Sequence, residues 1–228
     1  MKFRTEWKYY CNNSTFNEIE SRIKGVLDID SNSINGRYYV HSLYFDDYRN
    51  SCMQENDAGL SERHKWRIRY YNDNTNYICL EKKEKSNFLC KKYICPLNLE
   101  EYNKIINNDL YGIIFSTHKD LLKSFCIESI SRILRPTVLI DYERIAFVNK
   151  ALNIRVTYDT NITGSNDVKK FFDGDYSKFA ITQSDIGIFE IKFDDILPGY
   201  IKKLVNNNSL NQITFSKYYT TRSIIERG

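Results

Sequence analysis

The stretch His64-Lys65-Trp66-Arg67-Ile68-Arg69-Tyr70-Tyr71 decides how the chain is read. Side chains of a β-strand alternate between two faces. Lys65, Arg67, Arg69 and Tyr71 therefore share one face, and His64, Trp66, Ile68 and Tyr70 the other. The second face is largely apolar and can bury. The first carries three positive charges spaced roughly 7 Å apart by the strand rise. Like charges that close repel, so the strand needs water or compensating anions. One such strand fits the solvent side of a half-buried sheet, but several other segments repeat the pattern.

Upstream, Phe3 to Cys11 alternates Arg4, Glu6, Lys8 and Tyr10 against Phe3, Thr5, Trp7 and Tyr9. A helix follows, with Thr15 and Glu18 as a capping box and Phe16, Ile19, Ile23 and Val26 at helical spacing. Gly36 to Phe45 reads as a strand, Asp46-Asp47 as a turn, and Asp57 to Ser61 as a loop. Downstream, the polar turn Asn72–Asn76 predicts that Tyr77–Lys85 pairs antiparallel with the opening stretch. That strand sets Cys79, Glu81, Lys83 and Lys85 on one face. Phe88–Cys95 is the next strand, in which register decides whether Lys91 or Lys92 points inward. Helices are expected over Leu99–Ile106 and Lys119–Leu134.

After Pro136, Thr137–Val148 and Asn153–Thr160 form a hairpin around Asn149-Lys150. It places Tyr142 with Arg144, and Arg155 with Thr157 and Asp159. Thr163–Tyr176 reads as an irregular polar excursion. In the strand Gly187–Phe193, Glu190 and Lys192 alternate against Phe189, Ile191 and Phe193. Pro198 suits the first position of a short helix reaching Val205.

Composition narrows the classes. The 228 residues can bury a substantial core, and no stretch approaches the roughly 20 apolar residues of a membrane span. Met1–Tyr10 lacks the apolar run of a secretory signal. Six cysteines without CxxC pairing then read as reduced thiols of a cytoplasmic protein. Net charge is only +4, so any preference for anions rests on how the charges are arranged.

If these strands form one closed antiparallel sheet, its inside collects Lys8, Arg67, Arg69, Lys83, Lys91, Arg144, Arg155 and Lys192, with Lys217 close by. Only Glu6, Glu81 and Glu190 oppose them. Ionised groups removed from water without partners cost several kcal/mol each. Such an interior stays wet, binds polyanions, or both. Arg and Lys suit phosphate, and a carboxylate can hold a divalent metal that shares phosphate oxygens. An open sheet with the same face outward would instead bind nucleic acid. The sequence pI of about 8.6 falls below the usual basic-domain signal, and the interleaved Glu residues break any phosphate-backbone track. Nucleic acid is therefore not the expected partner.

The ordered motifs R-x-E-x-K-Y (Arg4, Glu6, Lys8, Tyr9), R-x-R (Arg67, Arg69) and E-x-K (Glu81, Lys83) are followed by the Lys91 strand. D-Y-E-R (141–144), R-V-T-Y-D-T (155–160), E-I-K (190–192) and F-S-K-Y (215–218) complete the series. The series resembles the polyphosphate polymerase domain of the vacuolar transporter chaperone (VTC) family, within the triphosphate tunnel metalloenzymes, over nearly the whole chain. The resemblance implies an α+β fold: one domain over residues 1–228, an antiparallel eight-stranded β-barrel tunnel with flanking helices. It implies phosphate contacts from Lys8, Arg67, Arg69, Lys83, Lys91, Arg144 and Lys217, assisted by Ser216 and Tyr142. Arg155 and Lys192 line the tunnel, and Glu190 holds Mn²⁺ or Mg²⁺.

The implied activity is transfer of the ATP γ-phosphoryl group to a growing polyphosphate chain, with ATP and inorganic polyphosphate or pyrophosphate as ligands. Hydrolases of the superfamily begin E-x-E-x-K, whereas Arg4 stands where the first Glu would be, which disfavours a two-metal triphosphatase. No regulatory domain is expected before Phe3 and no membrane segment after it, so coupling to a membrane would need a separate protein. The alternatives are a triphosphatase of the same fold and a non-catalytic polyphosphate- or inositol-phosphate-binding module. Glu81 reads as a charge partner rather than a metal ligand. His41, His64 and His118 form no cluster.

Overall fold

The computed structural model describes residues 3–227. Met1, Lys2 and Gly228, the outermost residues of the expected 1–228 span, lie outside the described residues. The chain runs β1 (Arg4–Asn12), α1 (Asn13–Ile23), β2 (Asp28–Ile29), β3 (Arg37–Asp46), α2 (Ser51–Asp57), β4 (Glu62–Tyr71), β5 (Asn74–Ser86) and β6 (Leu89–Leu97). Three helices follow, α3 (Leu99–Ile106), α4 (Leu110–Ser116) and α5 (Asp120–Arg132). Then come β7 (Arg135–Asn149), β8 (Ile154–Ser165), β9 (Phe179–Ala180), β10 (Ile186–Phe193), α6 (Gly199–Val205), β11 (Asn211–Gln212) and α7 (Lys217–Arg227).

Eight of the strands close a ring in the order β7–β3–β4–β5–β6–β1–β10–β8, and β8 returns to β7. Every pairing in it is antiparallel. The fold is thus the expected α+β architecture, a β-tunnel flanked by helices. The ring is uneven. β4 and β5 pair along most of their length, whereas β1 and β6 meet only at Arg4↔Cys90 and Thr5↔Leu89. Beyond that seam β11 pairs with β1 at Tyr9↔Gln212 and Tyr10↔Asn211, and the Ile213 amide donates to the Lys8 carbonyl at 2.8 Å.

Alternation sends an apolar face of the ring strands outward, where the helices cover it. Trp66, Ile68, Leu80 and Cys95 pack with Tyr102, Ile113, Leu122 and Phe125 of α3–α5. On the other side Phe16, Ile19 and Ile23 of α1 and Ile201 and Val205 of α6 cover Val156, Phe189, Ile191 and Phe193. A third cluster lies on the inner side of the ring: Val40, Val138, Ile140 and Ile188 pack with Tyr218 of α7. Burying a side chain of this size contributes about 1.5–3 kcal/mol, so the outer layers supply most of the stability that lets the inner face stay charged.

Several local expectations change. α1 is capped by Asn12, whose Oδ1 accepts from the Thr15 amide at 2.8 Å, rather than by a Thr15–Glu18 box. The box motif occurs instead at Asn98 and Glu101 before α3. β8 continues to Ser165, and a 3₁₀ turn at Val168–Lys170 precedes the fully buried Phe171, so the polar excursion is partly structural. The segments around Phe215–Arg222 and Ser51–Asp57 carry helices α7 and α2.

Candidate functional site

The ring encloses a cavity of about 1580 Å³. Its lining follows β4 from Arg63 to Tyr71 and β5 from Tyr77 to Lys85, so the bore runs between two mouths. Gly59, Arg63, Lys85 and Phe88 mark one mouth; Asn72, Asn74 and Tyr77 mark the other. Among the described residues, fourteen Lys and Arg side chains line it against four carboxylates. Strand alternation delivers most of this, because β1, β4, β5 and β10 turn charged residues inward and apolar ones to the helices.

Three anionic centres organise the cations. Glu81 on β5 accepts from the Arg67 Nε at 2.7 Å and from Lys92 at 3.0 Å, with Arg69 3.7 Å away. Burial pushes the Glu81 carboxyl up, but Arg67, Arg69 and Lys92 overcome it and hold the group well below the usual carboxylate range. Asp159 on β8 accepts from the Arg144 Nε at 2.6 Å and from Lys217 at 2.7 Å, and is likewise held low against its burial. The third centre pairs Glu6 with Glu190: Lys83 reaches Glu6 at 2.7 Å, while Lys192 and Lys8 lie 3.0 Å and 3.6 Å from Glu190. The Tyr142 hydroxyl joins the first two centres, accepting from Arg69 at 3.1 Å and Arg144 at 3.3 Å. Tyr44 accepts from Arg67 at 2.9 Å; burial raises its phenol but the guanidinium groups of Arg67 and Arg69 outweigh that and bring it to about 8.

The structure therefore brings Lys8, Arg67, Arg69, Lys83, Arg144, Lys192 and Glu190 to one bore, with Tyr142 in its wall. Lys217 arrives from the first residue of α7, not from a strand. Ser216, just before that helix, accepts from Lys65 at 3.1 Å. Arg155 also lines the cavity, paired with Asp30 and donating to the Tyr38 hydroxyl at 2.7 Å. Lys91 is corrected by register. Lys83 stands opposite Lys92, and Lys91 opposite Glu84 on the other face. The inward residue is Lys92, while the Lys91 ammonium lies over the Tyr93 ring, 4.7 Å from its centroid, at the edge of the cavity.

Sequence reasoning passed over three groups that the bore uses. Asp159 shares the face of Arg155 by simple alternation, but only the ring shows that it neutralises Arg144 and Lys217. Lys65 was on the cationic face from the start and lines the cavity. Lys92 was the open half of a register choice.

As for a metal, Glu6 and Glu190 supply hard oxygen donors on neighbouring strands. No group of three His, Cys, Asp or Glu suited to a metal occurs among the described residues. The pair fits the mode in which Mg²⁺ or Mn²⁺ takes one or two carboxylates and completes its shell with water and substrate phosphates. Arg4, in place of a further carboxylate, pairs with Asp194 at 3.2 Å.

A closed antiparallel ring with a cation-lined bore and few carboxylates defines the class: a cation-lined β-tunnel flanked by helices. The sequence model of the VTC domain matches residues 3–225, and the chain belongs to that family. A search of curated proteins returns no match. Among solved structures, the PH1819 protein of Pyrococcus horikoshii OT3 is 12% identical, with a TM-score of 0.47 and 98% of this chain and 99% of that one covered. The PH1012 protein of the same organism is 14% identical, with a TM-score of 0.43 and coverages of 89% and 85%. No helix among the described residues is long and apolar enough to cross a membrane.

Proposed function

We propose that this chain is a polyphosphate polymerase, transferring the γ-phosphoryl group of ATP to the end of an inorganic polyphosphate chain held in the bore. The observation that carries the reading is the convergence of Arg67, Arg69, Lys83, Arg144, Lys192 and Lys217 on one enclosed cavity. Phosphoryl transfer asks a protein mainly for positioning and charge stabilisation. The three carboxylate centres keep these side chains extended and oriented before substrate arrives. Arg67 and Arg144 retain unused donors for phosphate oxygens, and Tyr142 fixes their spacing. Because the acceptor is itself an anionic phosphate, no side-chain nucleophile is required. Enclosure by the ring would restrict water, the competing acceptor.

Glu190, with Glu6, would hold Mn²⁺ or Mg²⁺; such an ion supplies charge neutralisation between phosphate oxygens. Lys8 and Lys192 pair with the same Glu190 carboxylate, so they would share it with such an ion.

Incubation with γ-labelled ATP and Mn²⁺, followed by sizing of the product on a gel, tests the proposal. Labelled chains are expected, and Arg67→Ala removes them. Release of orthophosphate alone would move the assignment to a triphosphatase. Polyphosphate binding without turnover, unchanged in Glu190→Ala, would make the chain a binding module.

A further inference from the structure

The bore's cations are unevenly paired. Lys8, Lys83, Lys192, Arg67, Arg69, Lys92, Arg144 and Lys217 each have a carboxylate within ion-pair distance. Arg63, Lys65 and Lys85 have none among the described residues, yet all three line the cavity. They also lie together. Arg63 stands directly opposite Lys85 across the β4–β5 ladder, and Lys65 is the next inward residue of β4. Among the described residues one carboxylate, Asp57, lines that mouth; it accepts from the Tyr219 hydroxyl and makes no ion pair with the three cations.

Lys65 shows what the arrangement costs. Its ammonium donates to the Asn56 Oδ1 at 2.9 Å and the Ser216 Oγ at 3.1 Å, and sits over the Tyr218 ring at 4.9 Å. All three are neutral partners. Burial pulls Lys65 down to about 8, with Arg63 and Lys8 adding to the effect. Lys85 is lowered too, by burial and then by Arg63. Three charges are thus held in mutual repulsion with no carboxylate within ion-pair distance of any of them among the described residues.

We propose that Arg63, Lys65 and Lys85 form a separate anion subsite at the Gly59–Phe88 mouth, which takes the stretch of a linear polyphosphate lying beyond the carboxylate-paired cations. The proposal rests on the polyphosphate reading above and sharpens it to long linear chains. Its location is contiguous with the deeper bore, because Lys65 already touches Ser216 and Lys8 donates to the neighbouring Phe215 carbonyl at 3.0 Å. Its chemistry discriminates. Each added phosphate of a polymer brings another negative charge to this mouth, whereas a nucleoside triphosphate ends in an uncharged sugar and base. Arg presents a fork of donors and Lys a point charge, and neither demands a fixed register, which suits a repeating ligand.

Calorimetric titration at one fixed salt concentration tests this with two probes. One is inorganic tripolyphosphate; the other is linear polyphosphate of about 15 phosphates, long enough to pass the roughly 30 Å of a ten-residue strand. The proteins are the wild type, Arg63→Ser/Lys85→Ser, and a control, Lys202→Ser/Lys203→Ser, that removes two exposed charges on α6. The mouth variant is expected to lose about tenfold or more in affinity for the long chain and less than about threefold for tripolyphosphate, the pattern of a lost subsite. The control is expected to lose little for either. Equal losses for both probes, or a control as weak as the mouth variant, would reduce the effect to general electrostatic attraction and overturn the subsite. Wild-type protein that binds tripolyphosphate and the long chain alike would overturn it also, leaving the tunnel assignment intact. Binding of neither probe would overturn both readings together.

Discussion

Asp159 shows how one carboxylate sustains a charged interior. It is fully buried, accepts from both Arg144 and Lys217, and has no other way to shed its charge penalty. Removing one partner of a buried pair costs about 3–5 kcal/mol, because the remaining charge is stranded. Asp159→Asn is therefore expected to lower the unfolding free energy at neutral pH by about 3–5 kcal/mol, seen as a lower urea midpoint. The pH dependence has a definite sign. The folded-state pKa is depressed, so the stabilisation is full above the ordinary carboxylate range and disappears as pH falls through the folded value. Wild-type stability should drop steeply on acidification, and the variant's less so; parallel curves would show that Asp159 is protonated or unpaired in the folded protein. Glu81, surrounded by Arg67, Arg69 and Lys92, obeys the same rule.

At the level of elements, the β8–β10 ladder depends on an absent side chain. A Cβ at Gly187 would fall 2.5 Å from the Tyr158 ring and 2.6 Å from the Asp159 carbonyl oxygen. Backbone cannot yield as a flexible side chain can. Gly187→Ala should destabilise by about 1–3 kcal/mol, the usual range for overpacking, and weaken anion binding by displacing Asp159 from Arg144. Denaturant midpoints and tripolyphosphate titration would detect the two effects; a variant normal in both would show that β8 and β10 can separate freely. The same ladders explain what could be read in advance. Alternation is a local property, so the inward faces of β1, β4, β5, β8 and β10 were legible from Lys8, Arg67, Lys83, Arg155 and Glu190. Register is not local. Whether Lys91 or Lys92 faces in depends on how β6 meets β5 across the turn at Asn87, whose φ of 53° adds a left-handed residue there. The helix α7 escaped notice because Tyr218, Tyr219, Thr220 and Thr221 favour strands, and tertiary contacts override that preference. Its Tyr218 hydroxyl donates to the buried Asp46, which lies 172 residues away in sequence.

For the whole molecule, ring closure converts modest net charge into a concentrated field. A chain of only +4 overall places fourteen cations of its described residues around one cavity, most of them by confining them to one side of the wall. Filling it should stabilise the fold by mass action: polyphosphate at about 100 times its Kd adds about 2.7 kcal/mol. A melting curve that rises with polyphosphate, and does so less at high salt, is the expected result. No rise at saturating ligand would mean that the cavity charges are already compensated. Closure itself could not be read from any one strand, since β1 and β6 join at only two positions.

That slender joint gives the segment after α6 a double duty. Residues 211–213 act as a gasket on the open edge of β1, and the next four carry Phe215, Ser216 and Lys217 to the bore. Any lesion that loosens this strap breaches the vessel and strips its contents' anchors in the same event. Deletion from the C-terminal side therefore cannot separate leakiness from lost grip; only single substitutions inside the strap can.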